Sequence, residues 1–190
     1  MQDRLRKGDW FVAPVPLAVA RDMISRLHYS LGSSKQAVFV FGLFRCFDGK
    51  LAGVTQWIPP TREAAMSVSD GKDWRGVISL SRMVVEPWVP KNACSFLLAR
   101  CVHQIRMDGR YHTLLTYADT AVGHGGGVYK ASNWEYLGLT KGRDVRWLDG
   151  DGKQVSKKAT VNRTYAQMEA LGYIRSGKFP KHKYRLRLLK

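Results

Sequence analysis

The chain has 190 residues, of which 45% are hydrophobic and 11% aromatic, so we predict a single domain, residues 1–190, rather than two large ones. Its 31 Lys and Arg against 15 Asp and Glu give a net charge of +16, far more than solubility requires, and this excess predicts a polyanion as partner. No run approaches the roughly 18 apolar residues of a membrane-spanning helix, which argues against membrane attachment.

The first predicted elements are a helix and a β-hairpin. Apolar residues at helical spacing predict a helix over residues 16–27; they are Ala20, Met23, Ile24 and Leu27. The helix runs out into His28 and Tyr29, which either face a cleft or cap the helix end, where the helix dipole favours His. Residues 37–57 are predicted to form a hairpin around an Asp-Gly turn. The long polar loop that follows, residues 59–75, is expected to be mobile.

A predicted strand at residues 77–86 carries Arg82 among apolar neighbours. Burying an unpaired guanidinium is costly, so Arg82 is expected in a structural ion pair or at an anion-binding site. The next turn leads into a helix that begins near Asn92. A strand, a short turn and a helix N-terminus are typical of a phosphate or carboxylate cradle. The candidate cofactor-binding residues of this turn are Lys91, Asn92, Ala93 and Ser95.

The stretch from residue 111 to residue 138 holds the densest set of candidate chemical groups. A strand at residues 112–117 runs into Asp119, a glycine-rich turn with His124, and a short helix with Tyr129. In α/β folds, ligands bind in the crevice at the carboxyl end of a strand. The competing interpretation is a tight strand-to-helix turn whose glycines permit positive φ, with Asp119 as a helix cap.

From residue 139 onward the composition is basic, and we expect residues 139–190 to be the nucleic-acid-binding part of the same domain. The turn at residues 149–152 predicts a second hairpin, and residues 158–171 predict a helix that ends at Gly172. In the final strand, alternation predicts that basic side chains face solvent while Tyr184, Leu186 and Leu188 pack inward. A basic face without compensating acids favours phosphate contacts over a merely solvated surface. The candidate DNA-binding residues are Arg143, Arg146, Lys181, Lys183, Arg185 and Arg187.

The three cysteines indicate a cellular compartment rather than a disulfide, zinc-binding or catalytic role. Cys46, Cys94 and Cys101 are odd in number and show no CxxC spacing, so they support neither a disulfide framework nor a thiolate zinc site. A reducing cytoplasm is expected. Cys94 and Cys101 lie seven residues apart on one apolar helix face, where a cysteine usually serves as a small core residue.

The order of these elements resembles the GNAT acyltransferase fold. That resemblance implies a mixed α/β domain whose central sheet is splayed and flanked by helices, here with a basic C-terminal hairpin and strand extension. In GNAT proteins the donor's pantetheine and pyrophosphate lie between a strand and the following helix. The usual Q/R-x-x-G-x-G/A pyrophosphate loop is replaced here by VPKNACS at residues 89–95, which argues against acetyl-CoA as the donor.

Within that fold the chain resembles the phage Mom family of DNA-modifying proteins more closely. The motifs that carry this resemblance are His28-Tyr29-Ser30, Ser81-Arg82, Pro90-Lys-Asn-Ala, Tyr117-Ala118-Asp119, Gly123-His124, Gly127-Val128-Tyr129-Lys130-Ala131, Asn133-Trp134 and Lys181-His182-Lys183-Tyr184. The resemblance implies carbamoylmethylation of the exocyclic amine of adenine in double-stranded DNA, in the cytoplasm of a bacterial host. Such a modification protects phage DNA from restriction enzymes.

The resemblance also implies which residues act. The functionally important positions of the family match His28, Tyr29, Arg82, Asp119 and Tyr129. An iron requirement has been proposed for the family, and His28, Tyr29 and Asp119 are the implied ligands, with His124 available as a second histidine. Independently of iron, Asp119 or His28 suits removal of the amine proton, Arg82 suits a donor carbonyl or carboxylate, and Tyr129 suits protonation of a leaving group.

The donor and two alternative functions stay open at this point. A glycyl carrier such as charged tRNA, an acyl-CoA such as acetyl-CoA, or another metabolite each supplies suitable atoms, and a basic surface suits RNA as well as DNA. The alternatives are an acetyl-CoA-dependent N-acetyltransferase and a non-catalytic nucleic-acid-binding module. Any DNA-modifying enzyme must extract its base from the stack, and Trp57, Trp74 and Trp88 are candidate supports for a flipped adenine.

Overall fold

The computed structural model describes residues 4–29, 33–142, 145–155, 160 and 162–188. Its strands are β1 (Trp10–Pro14), β2 (Phe39–Arg45), β3 (Leu51–Ile58), β4 (Val77–Val85), β5 (Thr113–Asp119), β6 (Glu135–Leu139), β7 (Val145–Leu148), β8 (Ile174–Lys178) and β9 (Lys181–Arg187). Its α-helices are α1 (Leu17–Leu27), α2 (Arg62–Met66), α3 (Ala93–Asp108), α4 (Gly127–Ala131) and α5 (Tyr165–Ala170). None of the described helices is long and apolar enough to cross a bilayer.

The main sheet has seven strands in the order β1-β2-β3-β4-β5-β9-β6, and β7 with β8 forms a separate two-stranded sheet. Neighbours in the main sheet are antiparallel except β4 and β5, which run parallel. This geometry follows from the connections: the Asp-Gly turn joins β2 to β3 directly, whereas the parallel pair needs the long crossover through α3. The predicted mixed α/β fold is therefore confirmed.

The two parallel strands separate halfway along their length. They pair from Val77 opposite Thr113 to Leu80 opposite Thr116, and no further. Beyond that point the second half of β4 stays with β3, while the end of β5 stays with β9. The separation leaves a wedge-shaped opening in the middle of the sheet, as predicted for a splayed sheet.

The core lies on both faces of the main sheet. On one face α3 buries Leu98 and Ile105 against Trp57, all with no exposed area. On the other face α1 packs Ala20 and Ile24 against strand residues. The sequence spacing thus predicted the buried face of α1 correctly, because three- and four-residue intervals place side chains on one side of a helix. Trp57 is therefore a core residue and not a support for a flipped base, and this prediction was wrong.

The loop at residues 59–75 contains a short helix and packs against the main sheet. It contains α2, which begins after Thr61, whose hydroxyl accepts the backbone N–H of Ala64. Ala65 and Val68 are buried and pack with Leu115 of β5. Asp70 is held by two arginines from β9. These apolar and ionic contacts connect the loop to β5 and β9, and its mobility stays a prediction.

The C-terminal part contributes a central strand to the main sheet, since β9 lies between β5 and β6. The predicted second hairpin is observed as a short one: Leu148 bridges Gln154 across the turn at residues 149–152, and the backbone N–H groups of Asp149 and Val155 donate to the carbonyls of Lys153 and Trp147. The sequence did not predict that β7 also pairs with the distant β8. Of the helix predicted at residues 158–171, the structure shows α5 (Tyr165–Ala170), which begins with a capping box formed by Thr164 and Gln167. Ser30, Arg143 and residues 157–158 lie outside the described residues.

Candidate active site

A cavity of about 660 Å³ opens where β4 and β5 separate. Its walls come from the end of α1, the second half of β4, the glycine-rich turn at residues 123–127, and α4. This volume is typical of small-molecule sites and far too small for a DNA duplex. The cavity lies at the carboxyl ends of two parallel strands, where the sequence analysis predicted a ligand site.

His28 and Tyr29 follow directly on α1 and form one wall. Their rings stack with centroids 4.3 Å apart, and Tyr29 meets the His124 ring edge-on at 5.4 Å. Burial, together with the nearby charge of Arg82, lowers the pKa of His28 to about 4, so the imidazole is neutral at neutral pH. Burial and the Asp119 carboxylate raise the pKa of Tyr29 to about 12. At neutral pH the pair therefore consists of a neutral imidazole and a protonated phenol.

Asp119 ends β5 and is only 7% exposed. Its Oδ1 accepts the backbone N–H of Ala121 at 3.0 Å, which caps the following 3-10 turn. Its Oδ2 accepts the Tyr29 hydroxyl at 3.4 Å and the Arg146 guanidinium at 3.3 Å. Both interpretations of Asp119 therefore hold, because one carboxylate oxygen caps the turn while the other faces the cavity wall.

The glycine-rich turn is held against β9 by Tyr184. The Tyr184 hydroxyl donates to the carbonyl of Gly125 at 2.7 Å. Gly126 has φ +71°, and a Cβ there would lie 2.3 Å from the Tyr184 ring. Only glycine satisfies both the positive φ and the close approach. This contact fixes the start of α4 and thus the position of Tyr129.

Tyr129 and Arg82 line the cavity from α4 and β4. Tyr129 packs between Trp134 and Tyr184, with ring centroids 5.7 and 5.4 Å away. Burial raises the pKa of Tyr129, so its hydroxyl stays protonated. The Arg82 guanidinium donates to the carbonyl of Ser81 at 2.7 Å, and burial lowers its pKa, although an arginine remains charged at neutral pH. The cavity therefore contains a cation for an anionic or carbonyl group and a proton donor.

The structure brings together all five residues predicted to be catalytic. His28, Tyr29, Arg82 and Tyr129 line the cavity, and Asp119 contacts Tyr29 at its edge. Sequence reasoning did not assign Cys94, which faces the cavity from the first turn of α3. Burial raises the pKa of this thiol, so Cys94 contributes apolar surface rather than a thiolate.

The predicted cofactor-binding turn contributes little to the cavity besides Cys94. Lys91 and Asn92 are exposed, and the carbonyl of Lys91 accepts the backbone N–H of Leu5. The Ser95 hydroxyl donates to the carbonyl of Asn92 at 2.9 Å, while Ala93 is buried in the core. Asn92 precedes the helix with φ 70°, and its side chain makes no capping hydrogen bond. Cofactor binding by these residues stays a prediction.

The basic row predicted on β9 is largely neutralised. Arg185 is 7% exposed, so the expected outward orientation was wrong for this residue. Its guanidinium contacts Asp70 at 2.6 Å and Glu135 at 2.9 Å, and Arg187 contacts the same two acids. These acids come from distant segments, so the final strand alone gave no sign of them. Both arginines thus stabilise the fold.

The remaining predicted DNA contacts differ in their surroundings. The Lys183 ammonium donates to the Ser67 hydroxyl at 2.6 Å. Arg146 points to Asp119 and is 14% exposed. Lys181 is exposed. Arg143 lies outside the described residues. DNA binding by these four residues stays a prediction, and Lys181 has the surroundings that best suit a phosphate contact.

The arrangement of His28, Tyr29 and Asp119 does not form a ready iron site. Both oxygens of Asp119 already accept hydrogen bonds, and the guanidinium groups of Arg82 and Arg146 bring two positive charges near the proposed ligands. Within the described ranges, no three His, Cys, Asp or Glu side chains cluster in a way that suits a metal ion. Iron ligation therefore stays a prediction, and no catalytic step below depends on it.

Comparison with known proteins identifies a matching family and a curated relative of part of the chain. The model of the Mom protein family matches residues 9–187. The methylcarbamoylase mom of Escherichia phage Mu is 29% identical in an alignment of 127 residues that covers 63% of this chain and 50% of that protein. The match thus spans about half the length of this curated relative.

Solved structures with the same fold are acetyltransferases. The ribosomal-protein-S5-alanine acetyltransferase from Vibrio fischeri has a TM-score of 0.57 at 9% identity, over 98% of this chain and 96% of that one. An acetyltransferase of the GNAT family from Streptococcus pneumoniae has a TM-score of 0.55 at 10% identity, over 95% and 99% of the two chains. At such identities the likeness shows the fold alone, and it confirms the predicted GNAT-like fold.

Proposed function

Because this chain belongs to the Mom protein family, we propose that it is a transferase that modifies adenine in double-stranded DNA. The proposed product carries a carbamoylmethyl group on the exocyclic amine, and the proposed benefit is protection of phage DNA from host restriction enzymes. The net charge of +16 suits a DNA acceptor, because neutralising phosphates releases counterions. The proposed place of action is the cytoplasm of the bacterial host.

One observation carries this proposal. The five residues that the family resemblance singled out come from four separate segments, yet they meet at one cavity between the splayed strands. A structural role alone does not require a neutral histidine, a protonated tyrosine, a carboxylate and an arginine around one opening. Groups with perturbed pKa values in a concave site are typical of catalytic centres.

The groups at the cavity suit transfer to a weak amine nucleophile. The adenine amine delocalises its lone pair into the ring, so a positioned base must take its proton as the new N–C bond forms. We assign this role to Asp119, with the neutral imidazole of His28 as the alternative acceptor. The amine attacks the methylene carbon of the donor's carbamoylmethyl group while the bond from that carbon to the leaving group breaks. Arg82 holds the carbonyl of the transferred group, and the protonated hydroxyl of Tyr129 supplies a proton to the departing group.

The size of the cavity requires that adenine leaves the duplex. A cavity of about 660 Å³ accepts a base and a small group but no double helix. The target nucleotide must therefore be flipped out of the stack, as in other enzymes that act on a base. Tyr29 is 40% exposed at the cavity wall, which places an aromatic ring where a flipped base would enter.

We propose as the donor a small metabolite that carries a leaving group on the methylene carbon of a carbamoylmethyl unit, or a glycyl carrier such as glycyl-tRNA. With the glycyl carrier, attack of the amine at the carbonyl breaks the ester bond and gives the isomeric glycyl amide, so this donor also requires a rearrangement to the carbamoylmethyl product. The turn before α3 has no Q/R-x-x-G-x-G/A pattern, and the carbonyl of Lys91 binds the backbone of the N-terminal segment. Both features disfavour acetyl-CoA as the donor. An acetyltransferase reaction is the second candidate because the fold is shared with acetyltransferases. That candidate predicts saturable binding of acetyl-CoA and product formation without DNA.

The test is mass spectrometry of nucleosides from plasmid DNA of bacteria that express the protein. We expect an adenosine species heavier by a carbamoylmethyl group with the wild type, and none with Asp119→Asn. A matched control is Asp48→Asn, which removes a carboxylate from the hairpin turn where it pairs with Arg45. Unmodified DNA from soluble wild-type protein contradicts the proposal. Equal modification by Asp119→Asn contradicts the assigned base.

The Asp119→Asn variant also distinguishes an enzyme from a non-catalytic nucleic-acid-binding module. Duplex binding is measured by fluorescence anisotropy with a labelled oligonucleotide. Asp119→Asn is expected to bind DNA as tightly as the wild type, because a nearly buried carboxylate does not contact phosphates. Binding without any modified adenine in the wild type would favour the module.

A further inference from the structure

Arg146 connects the two-stranded sheet to the cavity. It lies on β7, and its guanidinium reaches Oδ2 of Asp119 at 3.3 Å. The same guanidinium nitrogen, Nη2, donates to the side-chain oxygen of Gln154 at 2.7 Å. The guanidinium carbon also lies 5.6 Å from the centre of the Phe179 ring. Three contacts from three segments thus fix the position of one side chain.

These contacts separate Arg146 from an ordinary phosphate-binding arginine. Its side chain is 14% exposed and that of Asp119 is 8% exposed, so the pair is largely shielded from solvent. A shielded carboxylate needs a compensating charge, and removing one partner of such a pair is costly. The charge of Arg146 is therefore used on Asp119 rather than on DNA.

The lengths of these hydrogen bonds indicate how Arg146 is held beside Asp119. The bond to Gln154 is short, whereas those from Arg146 and Tyr29 to Asp119 are long at 3.3 and 3.4 Å. Gln154 thus holds Arg146 beside the carboxylate, and Arg146 limits the orientations that Oδ2 can adopt.

We propose that Arg146 is a positioning residue that acts through Asp119, and that Gln154 acts through Arg146. The two-stranded sheet then completes the active site, in addition to any part that it plays in DNA binding. This inference rests on the proposed function, since it concerns the base of the same reaction. It differs from the sequence-based prediction, which placed Arg146 among the DNA contacts.

The test measures modified adenine in plasmid DNA and, in parallel, duplex affinity and Tm. For Arg146→Met we expect a loss of about 100-fold in modification, the scale reported for small misplacements of catalytic groups. Duplex affinity is expected to stay unchanged. Arg146→Lys keeps the charge but loses the planar fork, so it is expected to restore part of the activity.

A matched control is Arg110→Met. Arg110 also pairs with a carboxylate, Asp108, and also lies over aromatic rings, but it follows α3 outside the cavity. This variant is expected to modify DNA like the wild type. Wild-type modification by Arg146→Met would overturn the proposal, as would a fall in duplex affinity equal to the fall in modification.

A double variant tests the order of the contacts. Gln154→Leu is expected to reduce modification by about 10-fold, less than Arg146→Met, because it loosens the arginine without removing it. Combining both changes should be no worse than Arg146→Met alone, since residues in one chain of contacts are not additive. Fully additive losses would refute the role of Gln154. If the wild type itself leaves DNA unmodified, the proposed function fails instead.

Discussion

Gly126→Ala tests the packing that positions α4. The added Cβ would lie 2.3 Å from Cε2 and 2.6 Å from Cζ of Tyr184, at φ +71°. The left-handed conformation costs about 1–2 kcal/mol for a non-glycine residue, and overpacking costs about 1–3 kcal/mol more. The expected total loss of unfolding free energy is therefore about 2–5 kcal/mol. Displacement of α4 should also reduce DNA modification, because α4 carries Tyr129.

Gly123→Ala is the matched control. Gly123 has the same φ of +71°, but a Cβ there meets nothing within 4 Å. Its substitution should cost the backbone strain alone, about 1–2 kcal/mol. Any gain from reduced freedom of the unfolded chain is common to both variants and cancels in the comparison.

The assay is urea unfolding followed by tryptophan fluorescence. We expect Gly126→Ala to lose clearly more stability than Gly123→Ala. In a Tyr184→Leu background the ring is gone, so Gly126→Ala should then cost no more than Gly123→Ala. Equal losses for the two alanine variants in the native background would refute the argument from the Tyr184 contact.

Three further outcomes follow from the described contacts. Arg185→Ala should lower the free energy of unfolding by about 2 kcal/mol, because the Arg185 guanidinium is nearly buried between Asp70 and Glu135. The Arg187 side chain is half exposed, so Arg187→Ala should lower it by less than about 1 kcal/mol; urea unfolding measures both losses. The guanidinium groups of Arg187 and Arg185 lower the pKa of Asp70. The charged Asp70 therefore stabilises the fold above the ordinary aspartate pKa of about 4, and this stabilisation is lost as the pH falls below that value. Tm measured from pH 6 to pH 3 should fall less steeply in Asp70→Asn than in the wild type. Tyr129→Phe removes the proposed proton donor and should reduce DNA modification by about 100-fold or more with little change in Tm; near-normal modification would exclude that role.

Local patterns in the sequence predicted most of the elements of the fold. Helical spacing predicted α1, the Asp-Gly turn predicted the hairpin of β2 and β3, and the apolar runs predicted β4 and β5. Each of these signals lies within a dozen residues, the range over which side-chain periodicity and turn chemistry act. The same range explains why Asp119 and Tyr129 were assigned to one site, since ten residues separate them.

Long-range pairing could not be predicted in the same way. The turn at residues 149–152 predicted a short local hairpin correctly, but it gave no sign that β7 also pairs with β8 from the far side of α5. Alternation on the final strand predicted an outward Arg185, but that strand lies in the interior of the sheet, where Asp70 and Glu135 meet it from segments 115 and 50 residues away. A partner at such a distance leaves no trace in a local pattern.

The position of β9 changes how the basic C-terminal part must be tested. Its residues pair with β5 along the whole strand from Thr113 to Asp119, and Tyr184 anchors the carbonyl of Gly125 in the cavity wall. Deleting residues 139–190 would therefore remove an inner strand and expose the edge of β5, rather than remove a separable DNA-binding segment. Loss of modification in such a truncation would follow from the damaged site alone. Point substitutions of exposed cations such as Lys181 leave the sheet intact, so only they can separate DNA affinity from catalysis.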